Sequence, residues 1–273
     1  MKIGKVLYFL LIVVLIAVFA FSAYYVGSYF FEGKEQQAQY DELADIVESV
    51  RNDPTYNEEE YYEDPVIGEV VVAPDGTVEE KIVLPEYAPV YELNNHLVGW
   101  MKLEGTKLNY PVMQTPDSTD YYLHKGFDRS YSAHGCLYAR EECDMDAPSD
   151  NITVYGHNMK DGSMFAPLFK YENKRFWEQN PYITFDSLTE HRTYQVMAVF
   201  YTTASEGEGF AYHLFEDAAD EAEFYDFVDT CKELAIYDTG VTASYGDKLI
   251  TLSTCEYSRT NGRFVVVAKR VNV

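Results

Sequence analysis

One cysteine stands where a nucleophile would have to be placed. Residues 249–255 read LITLSTC, an apolar run that predicts a β-strand, and the next three residues, Glu256, Tyr257 and Ser258, are polar. Cys255 therefore falls at the end of a strand and beside a loop. A thiolate attacks carbonyl carbons, so the chemistry that this position indicates is acyl transfer. Since a lone cysteine is more often a small buried residue, the assignment needs partner residues.

Two other stretches supply side chains that could serve such a thiol. His157 belongs to the motif YGHN and follows the predicted strand Asn151–Tyr155 and a glycine, from where an imidazole could reach across a groove. Arg263 follows Cys255 by eight positions and starts the apolar stretch 264–268, so a short loop would return it close to the thiol. An imidazole moves protons and a guanidinium binds carbonyl oxygens. Taken singly, each would be as well explained by a local hydrogen bond or a surface ion pair.

The composition excludes other classes of function. The 273 residues include 45 acidic and 21 basic ones, a net charge of -24, without the basic cluster that nucleic acid binding needs. A domain with this charge is expected to be soluble and to attract cationic or amine-bearing partners. Hydrophobic residues make up 47% of the chain, so a substantial core is expected. The length predicts one domain with an anchor and a linker.

The cysteines and histidines do not predict a metal site or a cofactor. No two cysteines form a CxxC pair, and four are few for a disulfide framework in a chain of this length. A metal site built from His124, His134, Cys136 and Cys143 would lack the close ligand pairs of structural zinc sites. We therefore expect no metal and no cofactor, and a fold stabilised by its core.

The amino-terminal segment predicts a membrane span. Between Lys5 and Glu32 lie 26 residues without a charge, more than the roughly 20 that cross a bilayer as a helix. The stretch is too long for a signal peptide and lacks its small-residue cleavage site, which favours an uncleaved signal anchor. Lys2 and Lys5 precede the span, so the positive-inside rule places the amino terminus in the cytoplasm. The predicted location is the cell membrane, with a single pass and an extracellular domain.

Three segments follow from this interpretation. Residues 1–31 are the cytoplasmic tip and anchor, 32–86 an acidic helix and linker, and 87–273 the catalytic domain. Within the linker, Lys34–Val50 has apolar residues at helical spacing and predicts an amphipathic helix. The acidic run Arg51–Asp64 is typical of a solvated, mobile segment.

The domain from residue 87 onward is predicted to be mainly β. Short segments rich in β-branched and aromatic residues alternate with turn formers, and eight strands suffice to close a small barrel. One inserted helix is expected over Asp217–Leu234, with an acidic start and a buried stripe. The stripe would contain Ala218, Ala222, Tyr225, Phe227, Val228 and Leu234. The predicted strands are Val98–Leu103, Lys107–Met113, Cys136–Ala139, Asn151–Tyr155, Tyr182–Phe185, Thr193–Thr202, Lys248–Thr254 and Arg263–Val271.

Together these motifs resemble those of the sortase family, and most closely the class B sortases. The sequences TLSTC ending at Cys255, YGHN around His157 and RFVVV starting at Arg263 are similar to the family's TLxTC, Gly-His and strand-start arginine motifs, in the same order. The resemblance covers about residues 91–271. It departs at residues 133–138, where relatives commonly have a small residue and a phenylalanine in place of the Cys and Tyr found here.

The resemblance implies a fold and an activity. The fold would be an eight-stranded sortase-type β-barrel with amino-terminal helices and one inserted helix, behind a single transmembrane helix. Cys255 would be the nucleophile, His157 its acid and base, and Arg263 the clamp for the oxyanion and substrate. The substrate groove would be bordered by Tyr155, Ser253, Glu256, Asn109 and Met113.

The same resemblance implies the partners. The substrates would be secreted proteins with a carboxy-terminal sorting motif, cleaved after Thr through a Cys thioester. The acceptor would be an amine of the cell-wall peptidoglycan precursor. Two alternatives are a pilin-polymerising sortase, which uses a pilin lysine as acceptor, and a catalytically silent surface binding module.

Overall fold

A single long helix begins the chain. In the computed structural model, which describes residues 2–53, 61, 65–72, 78–115, 117–205 and 207–272, helix α1 runs without interruption from Lys2 to Arg51. Among those residues it is the one helix long and apolar enough to cross a membrane, and its apolar window is not buried by the rest of the chain. The predicted anchor is therefore a candidate membrane span.

The second half of α1 packs on the domain. The predicted amphipathic helix Lys34–Val50 is confirmed as a continuation of the anchor, with Tyr40, Leu43 and Val47 all buried. The ring of Tyr40 lies 5.0 Å from that of Tyr110 on the barrel. The acidic run that follows α1 lies largely outside the described residues, so its expected mobility stays a prediction.

A β-hairpin separates α1 from the barrel. Strands β1 (Ile67–Val72) and β2 (Val78–Ile82) pair antiparallel in a sheet of their own, and helix α2 (Ala88–Leu93) follows. The linker interpretation of residues 32–86 did not include this hairpin. Strands of five and six residues give a weak periodic signal, particularly in an acidic segment.

Eight strands close into the predicted barrel, in the order β10-β8-β7-β3-β4-β5-β6-β9. Every predicted strand is present, with ends displaced by no more than two residues. The strands are β3 (Leu97–Lys102), β4 (Asn109–Met113), β5 (Leu137–Ala139), β6 (Asn151–Tyr155), β7 (Tyr182–Ser187), β8 (Thr193–Thr203), β9 (Leu249–Glu256) and β10 (Gly262–Val271). Between them lie helix α3 (Lys174–Gln179) and short 3-10 helices at Tyr121–His124, Ala166–Glu172 and Tyr212–Leu214.

The last strands are apolar on both faces because both faces are covered. In β10, Phe264 and Val266 point into the main apolar cluster of the barrel. The alternate residues Val265 and Val267 point outward into a second cluster beneath helix α4 (Glu221–Leu234). A strand buried on both sides reads as a continuous apolar run, as these do.

Helix α4 differs in detail from the prediction. It begins after Asp220, whose side chain accepts a hydrogen bond from the backbone N–H of Glu223 at 3.0 Å, so the expected start at Asp217 was wrong by four residues. The predicted stripe was also partly wrong, since Ala222, Tyr225 and Leu234 are exposed and Ala218 lies before the helix begins. The buried face has the spacing i, i+3, i+4 and i+7. It consists of Phe224, Phe227, Val228 and Cys231.

Strand direction brings three segments to one end of the barrel. Strands β6 and β9 run parallel, with Tyr155 beside Ser253, so their carboxyl ends lie at the same edge. Strand β10 runs antiparallel to β9 and begins at that edge. We call this edge the Cys255 rim; it is formed by the end of β6, the end of β9 and the start of β10.

Candidate active site

The thiol and the guanidinium lie side by side at the Cys255 rim. Cys255 and Arg263 are directly paired residues of β9 and β10. Paired residues of antiparallel strands project from the same face with their Cβ atoms about 4.5–5.5 Å apart. Both side chains are half-buried. The predicted return of Arg263 toward Cys255 is thus fixed by strand register.

The hairpin loop between these strands is held by Glu256. Its carboxylate accepts hydrogen bonds from the backbone N–H of Ser258 at 2.5 Å and from the Ser258 hydroxyl at 2.9 Å. Arg259 lies 3.5 Å from the same carboxylate. The Arg263 Nη1 donates to the carbonyls of Gly262 at 3.0 Å and of Asn261 at 3.3 Å, so the guanidinium is held at the start of β10.

The segment that carries His157 is bonded to the strand that carries the thiol. The Thr254 hydroxyl donates to the carbonyl of Gly156 at 2.7 Å. The Asn158 side-chain amide donates to the carbonyl of Cys255 at 3.1 Å. The two residues that flank His157 are thus tied to Thr254 and Cys255, consecutive residues near the end of β9. A Cβ at position 156 would lie 2.5 Å from the Leu137 side chain and 2.8 Å from the Phe165 ring, so glycine lets this segment pack against those two side chains.

The imidazole of His157 has a defined orientation. Its Nε2 lies 2.8 Å from the carbonyl oxygen of Leu123. Because a carbonyl accepts but cannot donate, the proton resides on Nε2, which leaves Nδ1 as the nitrogen able to take a proton. The ring stacks on His124 with centroids 5.5 Å apart. Burial lowers the pKa of His157, and His124 and His134 lower it further against the opposing effect of the Leu123 hydrogen bond. The resting imidazole is therefore neutral at pH 7.

Two tyrosines border the site, Tyr212, which is buried, and Tyr155, which is half-buried. The Tyr212 hydroxyl lies 2.5 Å from that of Ser253, which is two residues before Cys255 in β9. Burial raises the pKa of Tyr212; Cys255 raises it further and Arg263 lowers it, as expected for a phenol near both groups. Burial likewise raises the pKa of Tyr155, whose ring lies 5.5 Å from that of Tyr138. Both phenols stay protonated and can donate hydrogen bonds.

Three adjacent strands thus present a thiol, an imidazole and a guanidinium at one rim. A peptide carbonyl placed there could meet a nucleophile, a proton carrier and a charged donor for the developing oxyanion. A nucleophile, a proton carrier and an oxyanion donor are the groups that acyl transfer through a thioester requires.

Comparison with known proteins agrees with this chemistry. The family model described as the sortase domain matches residues 101–271. The chain is 30% identical over 273 residues to sortase B of Listeria monocytogenes, covering 99% of each chain. It is 32% identical over 193 residues to sortase B of Staphylococcus aureus, covering 70% of this chain and 77% of that one. The chain belongs to the sortase family.

The solved structures place this sortase in class B. The structure of the Staphylococcus aureus sortase B-substrate complex superimposes with a TM-score of 0.71 at 28% identity, covering 89% of this chain and 99% of that chain. The eight-stranded barrel and the predicted family are therefore confirmed. As a sortase, the chain is a cysteine transpeptidase.

The residues expected to border the groove occupy different environments. Tyr155 is half-buried at the rim, whereas Ser253 and Glu256 are buried and hold Tyr212 and the β9–β10 loop. Asn109 accepts a hydrogen bond from the indole N–H of Trp100 at 2.7 Å. Met113 is fully buried in the core. These contacts are structural ones, and a part for these residues in substrate binding stays a prediction.

Sequence reasoning gave no role to several residues that shape the site. Asn158 and Thr254 adjoin the motif residues, so their positions were a usable signal. The Leu123 carbonyl and Tyr212 had no such signal. A backbone carbonyl has no sequence signature, and Tyr212 begins a 3-10 helix of only three residues, far from the motifs in sequence.

The residues weighed for a metal site are dispersed among other partners. His134 lies 3.0 Å from the carboxylate of Asp161, and the Cys136 Sγ lies 3.2 Å from the Tyr40 hydroxyl. In the described parts of the chain, no group of three or more such ligands could hold a metal ion. All four cysteines are free thiols.

Proposed function

We propose that this sortase is a membrane-anchored enzyme that cleaves a carboxy-terminal sorting motif of secreted proteins after Thr. It then transfers the acyl group to an amine of the cell-wall peptidoglycan precursor. The observation that carries this proposal is the register of β6, β9 and β10, in which Cys255 pairs with Arg263 and Tyr155, two residues before His157, lies beside Ser253.

In the first half-reaction the Cys255 thiolate attacks the Thr carbonyl carbon. The C–N bond breaks, a thioester forms, and the downstream peptide leaves as an amine that takes a proton from His157. Since the resting imidazole is neutral, it must first accept the thiol proton, and Nδ1 is the nitrogen available for this.

In the second half-reaction the acceptor amine attacks the thioester carbonyl. His157 takes a proton from the attacking nitrogen, the new C–N bond forms and the thiolate leaves. The same imidazole therefore serves both half-reactions, and the enzyme returns to its starting state. Water in place of the amine would give hydrolysis.

Arg263 is the proposed donor to the oxyanion of both tetrahedral intermediates. Its planar fork carries a permanent charge, and its strand position beside the thiol places it near the carbonyl under attack. The hydrogen bond between Tyr212 and Ser253 holds the end of β9 that carries Cys255.

The proposed topology has the amino terminus in the cytoplasm and the barrel outside the cell. The apolar part of α1 is unburied, as a lipid-facing helix requires, and Lys2 and Lys5 precede it. Secreted proteins and cell-wall amines would both be available on that side.

The test uses the full chain in lipid vesicles and a library of fluorescent peptides that contain Pro and Thr. We expect cleavage after Thr, and transfer when a cell-wall-type amine is added. Cys255→Ala should abolish both, whereas Cys231→Ala, which removes a thiol on the buried face of α4, should keep both. Faster transfer to a pilin-type lysine than to the cell-wall amine would favour the pilin-polymerising alternative. Equal cleavage by wild type and Cys255→Ala would refute the mechanism.

A further inference from the structure

The outer end of the candidate span touches the barrel. The ring of Tyr29 stacks on His134 with centroids 5.6 Å apart. One turn further, the carboxylate of Glu32 accepts a hydrogen bond from the backbone N–H of Ala133 at 2.7 Å. The loop that precedes β5 is thus bound to α1 before the charge-free stretch has ended.

The contact is close enough to require a glycine in the helix. A Cβ on Gly33 would lie 2.5 Å from the Asp161 carboxylate and 2.8 Å from Nε2 of His134. These two side chains bond to each other at 3.0 Å, and His134 is 1% exposed. Asp161 belongs to the loop that starts at His157. The helix therefore presses directly against the segment that carries the imidazole.

The next two turns of α1 bind the loop that precedes β5. The Gln36 side chain donates to the carbonyl of Gly135 at 2.6 Å, and the Tyr40 hydroxyl donates to the same oxygen at 2.9 Å. The Ser132 hydroxyl donates to the Gln36 carbonyl oxygen at 2.5 Å. Contacts over three consecutive turns fix the direction of the helix relative to the barrel.

The depth of the barrel in the membrane follows from this docking. The charge-free stretch of 26 residues is about 39 Å long as a helix, whereas the hydrocarbon core is about 30 Å thick. Its outer turns, which hold Tyr24, Tyr25, Tyr29, Phe30 and Phe31, therefore lie at the head groups, where aromatic side chains are favoured. Barrel residues beside Tyr29 must lie at the same depth.

The Cys255 rim carries an exposed aromatic side chain at that depth. Tyr257, two residues after the thiol, is 72% exposed. Its hydroxyl donates to the carbonyl of Asn158 at 3.3 Å, in the loop whose Asp161 carboxylate lies against Gly33 of α1. Tyr131 is equally exposed, and it adjoins the Ser132 that binds Gln36 five residues beyond the span.

We propose that the Cys255 rim rests against the outer head-group layer of the membrane that holds α1, with Tyr257 among the head groups and Tyr131 nearer the water. The proposed partner of the Cys255 rim is therefore the lipid that surrounds the outer end of α1. This inference rests on the proposed anchoring and deepens the proposed function.

The test measures depth rather than activity. Single cysteines replace Tyr257, Tyr131 or Tyr245 in the full chain with Cys255→Ala, and each is labelled with an environment-sensitive fluorophore. Tyr245 is the matched control because it is 49% exposed and precedes the opposite end of β9. Labelling is selective because the remaining native cysteines are buried. They are Cys136, Cys143 and Cys231.

Each labelled protein is placed in phosphatidylcholine and phosphatidylglycerol vesicles, with a nitroxide quencher on lipids near the head group. We expect the largest loss of fluorescence at position 257, a smaller loss at 131 and none at 245. Flotation with the vesicles confirms that α1 is inserted. Flotation with equal quenching at positions 257 and 245 would overturn the proposal, as would failure to float. Peptide cleavage by the wild-type chain is measured separately, so failure of the proposed chemistry is distinguishable from failure of this placement.

Discussion

Replacing Thr254 by valine should damage activity far more than stability. Thr254 is 2% exposed, and its hydroxyl donates to the Gly156 carbonyl at 2.7 Å, which fixes the backbone directly before His157. Valine keeps the shape but leaves that carbonyl without its donor, at a cost of about 1–3 kcal/mol in the free energy of unfolding. A domain of this size loses about 2–4 °C in melting temperature for each kcal/mol.

The effect on catalysis should be larger because the released segment carries the imidazole. A displacement of about 1 Å in a proton-transfer group can lower the rate by about a hundredfold. Thr254→Ser is the matched control, since it keeps the hydroxyl and loses one methyl group, worth roughly 1 kcal/mol of burial.

The assay compares kcat/KM for peptide cleavage with the urea midpoint of each variant, at a temperature where all are folded. The valine and serine variants should have similar stability, but the valine variant should lose most of its activity and the serine variant little. Equal kcat/KM in the two variants would show that this hydrogen bond does not position His157.

Three further outcomes are expected. Arg263→Lys should lower kcat/KM for peptide cleavage by about a hundredfold, because an ammonium cannot present the planar fork to the oxyanion, while the melting temperature stays unchanged. In NMR spectra of Cys255→Ala, the His157 imidazole should titrate at a pKa below its ordinary value of about 6.5. The unfolded chain then binds the proton more readily than the folded one, so this group lowers the free energy of unfolding as the pH falls below that ordinary value. Titration at or above the ordinary value would contradict the burial of this imidazole. Asp186→Asn should lower the free energy of unfolding by about 3–5 kcal/mol in urea, because the buried carboxylate accepts from Tyr87 at 2.5 Å and from Arg51 at 3.0 Å, and peptide cleavage below the melting temperature should be unaffected.

The barrel could be predicted because its strands have simple signals. Strands β9 and β10 are apolar on both faces, and each is bounded by polar residues or turn formers. The pairing of Cys255 with Arg263 followed from the short loop between them. The approach of His157 could be anticipated from its place after a strand, but the parallel pairing of β6 and β9 depends on the order of all eight strands.

The parts that escaped prediction depend on contacts between distant segments. Glu32 and Lys34 end the charge-free stretch, so the sequence gives no sign that one helix continues through them and docks on His134. The tautomer of His157 depends on the Leu123 carbonyl, a backbone atom. The buried face of α4 was misplaced because apolar and aromatic residues occur around the helix, and Tyr225 was assigned to the core in place of Phe224.

The parallel pairing of β6 and β9 also sets the order in which the molecule can assemble. Parallel strands need a crossing connection, and here that connection contains β7, β8 and α4. Pairs that join distant parts of a chain form slowly, and β9 and β10 come last in chain order among the strands of the barrel. A nascent or truncated chain therefore has an imidazole without a neighbouring thiol, and nucleophilic reactivity arises when the final two strands close the barrel.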